Sequence, residues 1–320
     1  MNTVVNSDEI VTTKDDALRE NSILKESYSD NSMLVLPLGE ELKYEDMYTI
    51  SSVEPSTFVV LAGPIGCGKT TLVTSIYQQF FTKQSQDYYF AGSQTLQAFE
   101  KRAFFNRVQS NQAVPQMQRT ARGSLDSILH LRIWHSPKNM FQNLLISDFS
   151  GEDYEDVSGD IDTAKEDFGM IRNAKFLVII LDGANIASKR FKHKELQKAT
   201  QLLRTFFDAD ILHPLTEIVI ILSKYDVVYN QFSEQPDLKG FVEKIGTDIS
   251  EKIPSLKSKI LFQKVAAMPD NISEINIGYG ISDLMNIFFN YNEIKIDRFN
   301  EILKTETTSQ FNLFGERVLK

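Results

Sequence analysis

Short apolar runs recur along the chain and predict the strands of a sheet. The runs at 176–181 and 218–222 are uninterrupted, and shorter ones lie at 58–62, 144–146 and from 260 onward. Such runs are typical of parallel strands that are covered on both faces. Residues 128–134 instead alternate between apolar and polar positions, as a half-exposed strand does.

Segments with helical spacing separate these strands. Apolar residues recur at helical intervals from residue 70 to 77, and helices are also predicted at 186–207, 238–251 and 281–291. Strands that alternate with helices predict a doubly wound α/β fold, with a mostly parallel sheet and helices on both faces.

The remaining segments set the predicted domain organisation. Residues 1–54 are polar, acidic and weakly periodic, and we interpret them as a flexible N-terminal arm. Residues 55–294 form the predicted domain, which carries an insertion at about 83–126 between the first helix and the second strand, and this insertion is predicted to be partly helical at 95–108. Residues 295–320 are a mixed C-terminal tail.

Composition and charge indicate which partners and which cellular compartment to expect. The net charge is −9, from 34 basic and 43 acidic residues, so no unspecific binding to nucleic acid is expected. The single cysteine, Cys67, excludes an internal disulfide and favours a reducing cytoplasm. No apolar run reaches the length of a membrane span, and the N-terminus does not read as a secretory signal.

A phosphate-binding loop is predicted between the first strand and the first helix. Residues 63–70 read G-P-I-G-C-G-K-T and fit G-x-x-x-x-G-K-[ST], the motif of P-loop nucleotide hydrolases. Its backbone N–H groups would surround the phosphates, Lys69 would reach the β- and γ-phosphates, and the Thr70 hydroxyl would bind Mg²⁺. The alternative is a chance glycine-rich turn, and Cys67 is either a redox switch or a small residue that fills the turn. The predicted nucleotide contacts here are Gly63, Pro64, Ile65, Gly66, Cys67, Gly68, Lys69, Thr70 and Thr71.

The next strand ends in D-x-x-G, at Asp148 to Gly151. An aspartate at this position of a P-loop enzyme holds Mg²⁺, and the Gly151 amide can approach the γ-phosphate. The following residue, Glu152, either orients the attacking water or is a solvated acid within an acidic loop. An ordinary acidic turn remains the alternative for the whole motif.

A base-recognition motif is predicted at the end of the strand at 218–222. Ser223, Lys224 and Asp226 form S-K-x-D. A carboxylate at Asp226 can accept two hydrogen bonds from guanine, and adenine offers no matching pair of donors. The stem of Lys224 can lie over the base plane. Backbone N–H groups of Ala266 and Ala267 could serve the base oxygen, and the alternative for the motif is a surface turn.

A loop threonine is expected to complete the Mg²⁺ shell in the triphosphate state. Thr120 lies just ahead of the strand at 128–134, and Thr95 is the rival candidate. Arg119 and Arg122 are candidates for an arginine that neutralises charge in the transition state, or are exposed loop residues.

These motifs together resemble the TRAFAC-class GTPases, which include the Ras-like proteins. The stretch F-A-G-S-Q-T-L-Q-A-F-E at 90–100, with Q-R-T at 118–120 and L-H-L at 129–131, resembles the bacterial double-GTPase group. That resemblance implies a Ras-like P-loop fold, a paired GTPase as protein partner and a role in biological conflict such as phage defence. S-K-x-D in place of N-K-x-D, and Glu152 in place of glutamine, depart from the common pattern.

Three hypotheses follow for function. The first is a GTPase switch that hydrolyses GTP with Mg²⁺. The second is a GTP-binding scaffold without hydrolysis, and the third is a P-loop small-molecule kinase. The third needs a cluster of lid arginines, which the sequence offers only within 102–122.

Overall fold

A computed structural model describes residues 38–82, 87–104, 127–147, 150–269 and 274–290. Within them, seven strands form one sheet in the order β2-β3-β4-β1-β5-β6-β7. The strands are β1 (Ser56–Ala62), β2 (Tyr88–Gly92), β3 (Ile128–His135), β4 (Met140–Ser147), β5 (Phe176–Leu181), β6 (Glu217–Leu222) and β7 (Ile260–Lys264).

Ten α-helices lie among the described residues. They are α1 (Met47–Ser51), α2 (Lys69–Thr82), α3 (Leu96–Ala103), α4 (Gly151–Val157), α5 (Ile161–Asp167), α6 (Gly183–Ala187), α7 (Lys192–Asp208), α8 (Tyr225–Asn230), α9 (Pro236–Lys252) and α10 (Ile281–Asn290).

The sheet is parallel through β4, β1, β5, β6 and β7, and it becomes antiparallel at β3 and β2. Every residue of β5 and β6 is buried, because helices cover both faces of the sheet. One core packs α2 and α10 against the sheet, and the other packs α7 and α9 against its opposite face. The predicted Ras-like, mostly parallel α/β fold is therefore confirmed.

The inserted segment adds to the sheet. It supplies β2, which pairs antiparallel with β3 at the edge, and then α3. The sequence did not predict β2. It predicted a helix at 95–108, which the structure forms over Leu96–Ala103, whereas 105–126 lie outside the described residues.

The structure differs from the expected flexible arm over residues 38–54. Leu42 bridges to Ile128 at the start of β3, and helix α1 buries Met47 and Ile50 against the body. Residues 1–37 of the arm and the whole C-terminal tail lie outside the described residues.

Two further differences concern helices. The helix predicted at 186–207 is two helices, α6 and α7, and the acidic stretch after Gly151 forms α4, followed by α5. Ser150 and Asp160 cap the latter two helices by accepting hydrogen bonds from backbone N–H groups of their first turns.

Candidate functional site

The phosphate-binding loop joins β1 to α2 at the carboxyl edge of the sheet. Gly66 and Gly68 have φ angles of +74° and +100°, in the left-handed region where a side chain would be strained. At Gly63 the constraint is lack of space, because a Cβ there would lie 2.8 Å from Cys67 Sγ and 2.9 Å from the Ile180 carbonyl oxygen. The three glycines thus meet two steric requirements of one tight loop, a left-handed backbone at two positions and a close approach at the third.

Lys69 is buried at the first position of α2, and its ammonium is oriented by the loop itself. Its Nζ donates to the carbonyl oxygens of Gly63 at 2.6 Å and Pro64 at 3.1 Å. The Tyr154 ring centroid lies 5.8 Å from the same nitrogen. A lysine held in this way is preorganised beside the position that phosphates would take.

Cys67 is part of this loop, and it is fully buried. Burial raises the pKa of its thiol to about 11, although the nearby Lys69 charge acts in the opposite direction. A buried thiol that stays protonated is a poor nucleophile. This environment favours the reading of Cys67 as a small residue that fills the turn.

Gly151, the glycine of the D-x-x-G motif, meets the phosphate-binding loop directly. A Cβ built on Gly151 would lie 2.5 Å from the Ile65 amide nitrogen and 2.8 Å from the Pro64 carbonyl carbon. Ser147 pairs in register with Val60 of β1, and its hydroxyl accepts from the Leu61 N–H at 3.3 Å. Asp148 follows Ser147 but lies outside the described residues.

Helix α4 is anchored to the same region by Tyr154, whose role the sequence reasoning missed. The Tyr154 hydroxyl donates to the Leu61 carbonyl oxygen at 2.6 Å, and its ring packs against Phe168. An aromatic residue three positions after Gly151, within an acidic run, was the available signal. Glu152 is the second residue of α4, and its N–H donates to the Ser150 hydroxyl at 3.2 Å.

The S-K-x-D residues form the corner between β6 and α8. The Ser223 hydroxyl donates to the Leu181 carbonyl at 3.0 Å, and Lys224 has a left-handed backbone with φ 47°. Asp226 is the second residue of α8 and is 5% exposed. A Cβ built on Gly68 would lie 3.8 Å from the Ser223 Cβ, so this corner borders the phosphate-binding loop.

The predicted contacts at Ala266 and Ala267 follow β7 and lie beside this corner. The Ala266 N–H donates to the Tyr279 carbonyl at 3.1 Å, so it is already engaged within the protein. The Ala267 carbonyl accepts from the Gly278 N–H at 3.2 Å. The prediction that Ala266 offers its N–H to a base is therefore not supported by this conformation.

The loop candidates Thr120, Arg119 and Arg122 lie outside the described residues. The rival, Thr95, is buried, and its hydroxyl accepts from the His130 N–H at 2.8 Å. Ser93 also donates to the His130 carbonyl, at 2.6 Å. These bonds hold residues 93–95, just ahead of α3, against β3, which gives Thr95 a structural role.

Of the three predicted Mg²⁺ ligands, Thr70 is among the described residues, whereas Thr120 and Asp148 lie outside them. Thr70 is the second residue of α2, directly after Lys69, and supplies the hydroxyl oxygen that the ion prefers. Over the described ranges, no cluster of three or more His, Cys, Asp and Glu side chains could hold a metal ion. Mg²⁺ commonly relies on few protein ligands and on substrate phosphates, so Thr70 fits such a site.

In the part of the chain that the structure describes, no helix has both the length and the apolarity needed to cross a bilayer.

A phosphate-binding loop, a glycine closing against it and an S-K-x-D corner, all at one edge of a Ras-like sheet, define the class of P-loop GTPase-like proteins. The chain belongs to the Double-GTPase 2 family, whose model matches residues 57–289. The expected double-GTPase resemblance is thereby confirmed, and membership of this family supports GTP binding.

A structural comparison finds similarity to the signal recognition particle receptor SRb-GTP/SRX complex from Chaetomium thermophilum. The identity is 14%, the match covers 68% of this chain and 93% of that chain, and the TM-score is 0.36. No curated protein sequence matches the chain.

Proposed function

We propose that the protein binds GTP with Mg²⁺ and hydrolyses it to GDP and phosphate, acting as a molecular switch. Backbone N–H groups of the loop at 63–70 and the Lys69 ammonium bind the phosphates. Thr70, Asp148 and Thr120 would hold Mg²⁺, which would offset the charge of the β- and γ-phosphates. Glu152 is the candidate that orients the attacking water, and Arg119 is the candidate that neutralises developing charge.

The observation that carries this proposal is the convergence of three motifs that are far apart in the sequence. Gly151 lies against Ile65, and Ser223 lies beside Gly68. A nucleoside triphosphate whose phosphates lie on the loop can therefore reach both Gly151 and the base-recognition corner. A chance glycine-rich turn does not require the other two motifs to be its neighbours.

Guanine selectivity is assigned to Asp226. Its carboxylate is almost fully buried in the first turn of α8, beside the corner that borders the phosphate-binding loop. Guanine offers this carboxylate two hydrogen-bond donors, N1–H and the exocyclic amine, and adenine has no matching pair, so adenine is discriminated against.

Phosphate release from purified protein tests the proposal. We expect Mg²⁺-dependent release from GTP and little from ATP, and Lys69→Ala should lower it by about 100-fold or more. Lys239→Ala, which removes an exposed lysine from α9, is the matched control and should behave as wild type. Tight GTP binding without release would favour the non-hydrolysing scaffold, and transfer to an added metabolite would favour a kinase.

The switch is proposed to act on a protein partner, which we take to be a second GTPase in a bacterial conflict or phage-defence system. This part rests on the family to which the chain belongs. Co-purification with a paired GTPase should depend on whether GTP or GDP is bound. Equal recovery in both nucleotide states would contradict a switch.

A further inference from the structure

Lys224 makes an ion pair with Asp182, a residue outside the S-K-x-D motif. Its Nζ lies 2.9 Å from Asp182 Oδ1, at the corner after β5. The Lys224 side chain is 38% exposed and the Asp182 side chain 13% exposed, so the pair is partly shielded from water. With its backbone fixed at the left-handed corner and its ammonium fixed on Asp182, the lysine stem is held at both ends.

Asp182 is itself held by several contacts. Its Oδ1 accepts from the Ala184 N–H at 3.0 Å and caps α6, and its own N–H donates to Glu195 Oε1 at 2.9 Å. The next residue must be glycine, because a Cβ on Gly183 would collide with the Ser223 carbonyl. The corner after β5 therefore packs directly against the corner after β6, and the carboxylate has a defined place.

The pair also lies close to the phosphate-binding loop. The charges of Asp182 and Glu195 both add to the rise in the pKa of the Cys67 thiol, which burial chiefly causes. Gly68 borders Ser223, the residue before Lys224. A base joined to phosphates on that loop would thus lie within reach of the Lys224 stem.

We propose that Asp182 is a positioning residue for guanine recognition, which fixes the Lys224 stem as a platform for the base. This inference rests on the proposed GTP-binding function, and it adds a residue from a strand end that carries none of the three motifs. A free lysine of this length would lose rotamer freedom each time a base bound, whereas the ion pair removes that freedom in advance.

The Asp182 carboxylate both caps α6 and pairs with Lys224, and the substitution Asp182→Asn tests these two roles separately. Asparagine caps a helix as well as aspartate does, so α6 should persist, whereas the charge that holds Lys224 is lost. We expect the affinity for GDP, measured by calorimetry, to fall roughly three- to tenfold. The affinity for inorganic pyrophosphate, which has no base, should stay unchanged.

A double-mutant cycle with Lys224→Met tests whether Asp182 acts through the lysine. Methionine keeps an unbranched stem and removes the ammonium, so adding Asp182→Asn should cause no further loss of GDP affinity. Asp160→Asn is the matched control, since Asp160 caps α5 in the same way. Fully additive losses, or a wild-type affinity for Asp182→Asn, would overturn the proposal.

Hydrogen exchange in nucleotide-free protein keeps the inference separate from the proposed function. Both Asp182→Asn and Lys224→Met should speed exchange of the amides in Tyr225–Asn230, and Asp160→Asn should not. If the wild type bound no guanine nucleotide, the proposed function would fail, and this exchange pattern would still decide whether Asp182 positions the corner. Unchanged exchange in both variants would contradict that positioning.

Discussion

Replacement of Gly151 by alanine perturbs the contact on which the site depends. The added Cβ would lie 2.5 Å from the Ile65 nitrogen, 2.7 Å from its Cα and 2.8 Å from the Pro64 carbonyl carbon. All three are backbone atoms that cannot rotate away, so α4 or the loop must move by roughly 1 Å in a closely packed region.

The size of the effect follows from this displacement. Overpacking of a tight contact costs about 1–3 kcal/mol, and the better helix propensity of alanine returns about 0.5–1 kcal/mol. From the midpoints of the two ranges, we therefore expect Gly151→Ala to lower the free energy of unfolding by about 1 kcal/mol. A shift of this size between the γ-phosphate and the groups around it should slow hydrolysis by about 100-fold.

Urea unfolding of nucleotide-free protein and single-turnover phosphate release measure the two effects. Gly240→Ala is the matched control, because a Cβ there meets no atom within 4 Å among the described residues and its position is inside α9. That control should be more stable than wild type by about 0.5–1 kcal/mol, with unchanged hydrolysis. If Gly151→Ala unfolded and hydrolysed GTP like the wild type, Gly151 would not lie against the loop.

Three further predictions test individual contacts. Cys67, with a pKa of about 11, should react slowly with iodoacetamide at neutral pH in native protein and quickly in urea, and equal rates would contradict its burial. Tyr154→Phe should cost about 1 kcal/mol of unfolding free energy, because the buried Leu61 carbonyl loses its donor, and a neutral result in urea unfolding would exclude that bond. The Arg132 guanidinium holds the pKa of Glu54 below its usual 4.5, so the stability that this carboxylate contributes is present above that pH and lost as the pH falls. Glu54→Gln should thus be less stable than wild type near neutral pH, and the difference should shrink in acid; a gap that widens in acid would refute this.

Local patterns predicted the elements whose environment is uniform along their length. The apolar runs at 176–181 and 218–222 coincide with β5 and β6, because strands covered on both faces have no reason to alternate. The phosphate-binding loop could also be predicted from the local sequence, because the positions that require glycine lie within a few residues of one another.

Features that depend on partners far away in the chain could not be found in this way. The sequence places Glu54 in a predicted flexible arm, but its carboxylate pairs with Arg132 at 2.5 Å across the sheet. The sequence places Tyr154 in a predicted solvated acidic loop, whereas its hydroxyl donates to the Leu61 carbonyl, far away in the chain. The pairing of Asp182 with Lys224 joins the ends of two neighbouring strands, which spacing along the sequence does not reveal.

The most direct measurement of the central claim is competition among GTP, ATP and xanthosine triphosphate for the wild type and for Asp226→Asn. The wild type should prefer GTP over both rivals, and the variant should lose affinity for GTP while it gains affinity for xanthosine triphosphate, because the amide reverses the donor pattern at that position. Equal losses for GTP and xanthosine triphosphate would contradict base recognition by Asp226, and with it the single nucleotide site formed by the three motifs.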